Sequence, residues 1–370
     1  NGIGNFKYAP PAGFLSLCSK NLATPTVIPS EHFNTVLYSG TGSARSITGV
    51  GFQPDLHVLK IRSGESKSWM WTDAVRGAGK YLQSDGSGAE LTDTGTVSSF
   101  DSDGWSFGSS TPNQFNNSGS TYVAYNWKAN GSGSANTNGS ISSTVSANTD
   151  AGFSIITHSG ASGNGTVGHG LSKAPNLVIT KSRNAADQWR VGSIQSAASM
   201  DFTDYLRLND SGSFSNNVSG TWNNTAPTSS VISVGTDSAT NHPGYTYVSY
   251  CFHEVEGFSK IGSYNGNGSS DGVFIYTGFR PGWIMTKCIS SSSSWIIWDT
   301  ERSTYNVITN DDLQANNTQT EGAGNWGIHM DILSNGYKFR NADNNAINAS
   351  GQSYLYLAFA DQPFKHTNAR

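Results

Sequence analysis

Gly119-Ser-Thr-Tyr122-Val123-Ala-Tyr125-Asn-Trp127 returns twice along the chain in altered form. The later versions are Gly244-Tyr-Thr-Tyr247-Val248-Ser-Tyr250-Cys-Phe252 and Gly351-Gln-Ser-Tyr354-Leu355-Tyr-Leu357-Ala-Phe359. In each, glycine precedes tyrosine by three positions and strict alternation follows. Val123, Tyr125 and Trp127 share one side, as do Val248, Tyr250 and Phe252, or Leu355, Leu357 and Phe359. Tyr122, Ala124 and Asn126, with their counterparts, fall on the other. Successive side chains of a strand point to opposite faces, so a period of two predicts a strand with one buried face. The stretch reads as the closing strand of a unit used three times.

An independent motif repeats in the same order. Gly51-Phe-Gln-Pro54 runs into Leu56-His-Val58-Leu59-Lys60, Gly170 to Pro175 into Leu177-Val-Ile179-Thr-Lys181, and Gly278-Phe-Arg-Pro281 into Trp283-Ile-Met285-Thr-Lys287. Proline is tolerated at the start of a strand, where no ladder N–H is lost. Trp69-Met-Trp71-Thr-Asp73 is echoed by Trp295-Ile-Ile-Trp298-Asp299. Phe100-Asp-Ser-Asp-Gly104-Trp105-Ser-Phe107 and Asp331-Ile-Leu-Ser-Asn335-Gly336-Tyr-Lys-Phe339 read as hairpins turning on Asp103-Gly104 and Asn335-Gly336. A period of roughly a hundred residues exceeds the 20–50 of a solenoid unit, so whole domains are repeated.

The expected fold class is all-β: three tandem antiparallel β-sandwich modules of jelly-roll or lectin-like topology. Glycine at 42 residues, abundant Asn, Ser and Thr, and only 13% charged residues argue against long helices. The division expected is an extended adapter or end of a preceding domain over 1–32, module one over 33–128 and a flexible linker over 129–141. Module two then takes 142–257 and module three 258–370. The linker is assigned on its Gly/Ser/Asn composition. Module one is expected to sit at an angle across it, and modules two and three to pack rigidly.

Net charge is −4 with no basic run, so nucleic acid is not an expected partner. Nor is membrane insertion, since no apolar run approaches the ~20 residues of a span. Cys18, Cys251 and Cys288 are too few and too scattered for a disulfide framework or a metal site, and read as free thiols.

Catalytic patterns are wanting. Eight histidines form no H-E-x-x-H motif, and there is no G-x-S-x-G elbow or Walker loop. Asp101/Asp103 and Asp311/Asp312 are the closest acidic pairs, and Asp101-Ser-Asp103-Gly104 resembles half a calcium loop without its later acidic ligand. Asp73 and Asp299, repeated after the tryptophans, read as turn caps. No cofactor, metal or catalytic residue is expected. Exposed aromatic rings beside amides and hydroxyls suit sugar stacking, and Trp69, Trp105, Trp222 and Trp326 are the candidate carbohydrate-binding residues, weighed against packing in the core. N-x-S/T triplets at Asn116, Asn130, Asn138, Asn164, Asn267, Asn316 and Asn348 are expected by chance in so polar a chain.

Across residues 33–370 the sequence resembles tandem-repeat structural proteins of tailed bacteriophages, especially marine and cyanobacterial ones. The resemblance rests on Tyr38-Ser-Gly-Thr-Gly42, Ile47-Thr-Gly-Val-Gly-Phe-Gln-Pro-Asp55, Ser99-Phe-Asp-Ser-Asp-Gly104, Trp222-Asn-Asn-Thr-Ala-Pro-Thr228, Glu254-Val-Glu-Gly-Phe-Ser-Lys260, Tyr276-Thr-Gly-Phe-Arg-Pro281 and Ala360-Asp-Gln-Pro-Phe364. Phe6-Lys-Tyr-Ala-Pro-Pro-Ala-Gly-Phe-Leu15 looks like the end of a SPRY-type domain. The resemblance implies a non-enzymatic virion component, a tail fibre or capsid-surface decoration. Its expected partners are other virion proteins, further copies of itself (a trimer by analogy with fibres) and host surface glycan. Two alternatives stand beside it: a lectin or glycan-degrading enzyme, and a secreted bacterial surface filament.

Overall fold

The computed structural model describes Tyr8, Pro11 and residues 26–363, except 110–113, 217, 307, 310, 324–328, 341, 343 and 344. Over these the chain is a nearly all-β protein of antiparallel sheets.

Four strands recur in one spatial order. In the first copy the opening strand Phe33–Ser39 lies beside the closing strand Thr121–Trp127. Beyond that come the proline strand Leu56–Ser63 and the tryptophan strand Met70–Asp73. In the second copy the same order is Phe153–Ser159, Thr246–Phe252, Leu177–Ser182 and Arg190–Ser193. The third repeats it with Ser259–Asn265, Ser353–Pro363, Phe279–Cys288 and Trp295–Asp299. Register repeats too: Phe33 lies opposite Trp127, Phe153 opposite Phe252 and Ser259 opposite Phe359. Pro281 lies inside its strand rather than before it, at a register shift, where the missing N–H breaks no ladder.

A smaller outer sheet covers each main sheet and makes the sandwich. Tyr38, Ile47, Leu59, Trp105 and Tyr122 fill the first sandwich, Ile156, Val178, Trp222 and Ile232 the second, and Tyr264, Ile284, Trp298, Tyr337 and Tyr354 the third. The glycine–tyrosine motif sets these layers. Gly119, Gly244 and Gly351 take positive φ, and the tyrosine three residues on accepts the backbone N–H of Asn117, His242 or Ala349 at 2.7–2.9 Å. Each of these tyrosines stacks on the opening strand's Tyr38, His158 or Tyr264, with ring centres 4.9–5.0 Å apart.

The other face of each closing strand is also buried, which corrects the one-faced reading. Trp127, Phe252 and Phe359 meet one another in a triangle, their ring centres 5.6–6.4 Å apart. They belong to a fourth core to which all three copies contribute, with Val123, Tyr125, Val248, Tyr250, Leu355 and Leu357 along the same faces. Alternation of bulky groups looks alike whether the second face meets solvent or a neighbouring sheet. The three copies are therefore arranged around a common centre, with the first packed against both others.

Composition misleads at two further places. The 129–141 stretch, expected to be a flexible linker, is tied down: Ala129 N–H bonds the Asp55 carboxylate and Asn130 N–H the Ser146 hydroxyl. Ser134–Asn136 joins the second copy's sheet as an edge strand, and Ile141 is buried. The hairpin turns sit one residue earlier than expected, at Ser102-Asp103 and Ser334-Asn335. Gly104 and Gly336 open the return strands, because a Cβ there would lie 1.9 Å from Ile47 O and 2.1 Å from Ile275 O.

Candidate functional site

The sugar-stacking tryptophans are placed elsewhere by the fold. Trp69 is fully buried in the shared core, and Trp105 and Trp222 are fully buried inside the first and second sandwiches. A ring without accessible surface presents no face to a ligand, so these three are core residues, and the fold does not bring them together. Trp326 lies outside the described residues. Sequence alone cannot separate a strand's exposed aromatic from a buried one when both faces are covered.

Trp69 has a different role, legible only in three dimensions. Its Nε1–H donates to Gln314 O of the third copy at 2.8 Å. Trp189 donates to Gln83 O of the first at 3.0 Å, and Trp295 to Arg207 O of the second at 2.8 Å. Each copy thus inserts one indole into the copy behind it, and the ring closes. Trp189 and Trp295 were not singled out as site residues, although Trp295 repeats Trp69 in sequence.

Beside these indoles lie buried ion pairs whose network crosses between copies. Asp73 caps its turn by accepting Arg76 N–H at 2.8 Å, and Arg76 Nε–H bonds its other oxygen at 2.5 Å. Tyr250 of the second copy donates its hydroxyl to Asp73 at 2.9 Å, and Arg76 reaches Glu90, which binds Arg183 of the second copy through two nitrogens. The arrangement recurs between copies three and one. Arg302 N–H and Nε–H bond Asp299, Tyr125 donates to Asp299 at 2.8 Å, and Glu321 binds Arg62. The turn-cap reading of Asp73 and Asp299 therefore captures half of their work; the other half joins copies.

Electrostatics follow from this burial. Desolvation opposes charge on Arg76, but Asp73 and Glu90 outweigh it and hold its pKa above the ordinary value; Arg302 is held up likewise by Asp299 and Glu321. Burial alone would raise the Glu90 carboxyl, yet Arg183 and Arg76 leave it below its usual range. Burial pushes the Lys60, Lys181 and Lys287 amines down to about 8. These equivalent lysines donate to backbone carbonyls, among them Lys67 O, Ser182 O and Ser293 O. Such amines could carry nucleophilic or base chemistry if open to substrate. Here all three are fully buried and engaged in the strand ends.

Three of the four carboxylates in the acidic pairs are engaged. Asp101 accepts the Ser99 and Ser106 hydroxyls, and Asp103 accepts the backbone N–H groups of Gly49 and Gly51. Asp311 accepts the Ser303 hydroxyl, while Asp312 is buried and its carboxyl is pushed up by that burial. Cys251 and Cys288 are buried free thiols. Among the N-x-S/T asparagines, Asn116 and Asn348 are buried and hold loops: Asn116 bonds Thr41 N–H and Ser43 O, and Asn348 bonds Asn267 N–H and Ser269 O. Asn241 does the same in the second copy. A buried amide is closed to glycosylation.

Comparison with curated proteins gives no match. A family model does match, and it runs through all three copies as one unit. Over residues 28–363, the chain belongs to the family described as a domain of unknown function, DUF7483.

Proposed function

We propose that this chain is a non-enzymatic structural protein of a phage particle, a tail fibre or capsid-surface component that touches host surface glycan. The observation that carries the reading is the closed ring of joints. Trp69, Trp189 and Trp295 lock each copy to the next, and the charged groups best placed for chemistry, Asp73, Arg76, Asp299 and Arg302, are consumed in holding copies together. Asp101 and Asp103, the acidic pair nearest a glycosidase or calcium pattern, are engaged in turn geometry. Many small joints around one centre suit a part that bears load outside a cell. The sequence resemblance to phage repeat proteins supports the same reading.

The test has two arms. Gold-labelled antibody against the purified chain is expected to decorate intact phage particles under the electron microscope. The purified chain is expected to release no reducing ends from bacterial surface polysaccharide over a day. Unlabelled particles would remove the virion assignment, and steady release of reducing sugar would make the protein an enzyme.

A further inference from the structure

The three copies serve as controls for one another on their outer sheets. Arg45–Thr48, Gly165–Gly168 and Phe274–Tyr276 are the equivalent edge strands, pairing with Gly104–Phe107, Val231–Val234 and Gly336–Phe339. Their central residues, Ile47, Val167 and Ile275, are all buried. The residues on either side point outward. In the first copy they are the exposed Ser46 and Thr48 and in the third the exposed Phe274 and Tyr276, whereas in the second Thr166 is half-buried and Gly168 is covered by Asn136. Phe274 is 42% exposed and Tyr276 63%. Tyr305, 81% exposed, precedes Asn306, whose side chain bonds Ile332 of the same sheet in both directions. Tyr8 apart, every large exposed aromatic among the described residues belongs to the third copy.

A sandwich does not need those rings, because the same backbone closes with hydroxyls in the first copy, where Ser46 meets Ser106 at 2.7 Å. Uncovered aromatic surface costs solvation, and two exposed rings side by side on one strand face offer a stacking surface. Beside the rings, charge is balanced: Lys338, opposite Phe274, pairs with Asp271, and Arg340 pairs with Asp331. The face offers stacking surface with polar groups and no net field. That suits a ligand that is neutral, ring-shaped and rich in hydroxyls better than a nucleic acid or an acidic peptide.

We propose that the outer sheet of the third copy is a carbohydrate-binding face on which Phe274 and Tyr276 stack against successive sugar rings of a polysaccharide. Side chains two apart on a strand lie on one face, about 6.5–7 Å from each other, so a chain of sugars can meet both. The inference deepens the reading of a particle-surface protein in contact with glycan, and rests on it.

The test uses the full chain on an array of bacterial surface polysaccharides. The wild type is expected to bind at least one. Phe274→Ser with Tyr276→Thr, which installs the first copy's residues, is expected to lose at least tenfold of that signal with an unchanged melting temperature. Tyr276→Thr alone, at the more exposed site, is expected to lose a measurable part and guards against misfolding of the double variant. Unaltered binding in both variants, or no binding by the wild type, overturns the proposal. So does a wild-type dimer on a sizing column that the variants dissolve, since the patch would then join copies of this chain. Particles that carry the protein while it binds no polysaccharide would sink this inference and leave the virion assignment intact.

Discussion

Tyr125 of the first copy donates its hydroxyl to the Asp299 carboxylate of the third at 2.8 Å, across a joint where both groups are buried. Tyr250 repeats the bond to Asp73 between the second and first copies. At the remaining joint the equivalent positions hold Leu357 and Ser193, so the acid and its hydroxyl partner disappear together. The ion pairs behave the same way. Glu90 N–H bonds Arg183 O, Glu321 N–H bonds Arg62 O, and at the third joint Phe214 N–H bonds Ile289 O. Two joints carry glutamate and arginine there, and the third carries phenylalanine and isoleucine packed against the shared core. One backbone geometry thus supports two polar joints and an apolar one.

Removing the hydroxyl alone measures the first element. Tyr125→Phe or Tyr250→Phe keeps the ring and deletes a bond to an ionised acceptor, so each is expected to cost about 1.5–3 kcal/mol. Urea unfolding checks it. A loss below a few tenths of a kcal/mol would mean that the arginines alone satisfy Asp73 and Asp299.

The apolar joint supplies the second test. Arg183→Ile strands Glu90 beside a single remaining partner, Arg76, and is expected to destabilise by roughly 1–3 kcal/mol, short of the 3–5 of a fully buried broken pair. Adding Glu90→Phe transplants the pair found at 289 and 214, and is expected to recover only part of the loss, because matched apolar groups replace the Glu90–Arg183 pair at little cost while the buried Arg76 keeps Asp73 and loses Glu90. A double variant weaker than either single one would show that the polar joint cannot accept the apolar solution. A double-mutant cycle reads the difference directly.

How much of this was legible beforehand follows from what each residue had to do. Strand positions were readable wherever burial imposed a period of two, as at Tyr122–Trp127, and the triplication was readable because those periods recur. What lay on the far face of the closing strand was not, since Trp127 alternates identically whether it meets water or Phe359. The joints escaped because their partners are distant in sequence. Asp73 and Tyr250 are 177 residues apart, and only the fold pairs them. Trp69, Trp105 and Trp222 could not be told from surface candidates because aromatic identity says nothing of exposure, and for the same reason nothing in the sequence sets Phe274 and Tyr276 apart. The loops of 129–141 show the converse error: Gly, Ser and Asn are compatible with order when backbone groups find partners such as Asp55.

Acid should weaken the protein through its histidines before its ion-paired carboxylates, while the Asp55 and Asp312 carboxyls, raised by burial, work in the opposite sense. Burial lowers His57 and His158 to about 4, and His169 and His253 also fall below their ordinary value. The unfolded chain therefore takes up protons near pH 6.5 that the folded chain refuses. Stability from these groups is fully present above about pH 6.5 and drains away toward pH 4; Glu90, with a depressed pKa, adds its own loss only below its unfolded value near 4.3. His57 bonds Asn126 at 2.8 Å, and the third copy holds Ile284 and Ala358 at those positions. His57→Ile with Asn126→Ala is accordingly expected to flatten the decline between pH 6.5 and 4. Melting temperatures across that range decide it: an unchanged slope would remove His57 from the account.

Alkali should first strengthen the fold and then weaken it. Burial holds Lys60, Lys181 and Lys287 at about 8 while unfolded lysine stays protonated to about 10.4. Between these values the unfolded state binds more protons, so stability rises with pH. The Cys251 thiol, pushed up by burial, works in the opposite sense once unfolded cysteine ionises near pH 8.5, but it is one group against three. Above about pH 10 the balance reverses, because unfolded tyrosines ionise while Tyr38, Tyr125, Tyr250, Tyr264 and Tyr337 are held neutral by burial. The urea midpoint is expected to climb from pH 8 to a maximum near 10 and then fall. Lys287→Met, which keeps length and removes the amine, is expected to reduce the climb by about a third. A midpoint that falls steadily from pH 8 would show that the three amines stay charged inside the protein.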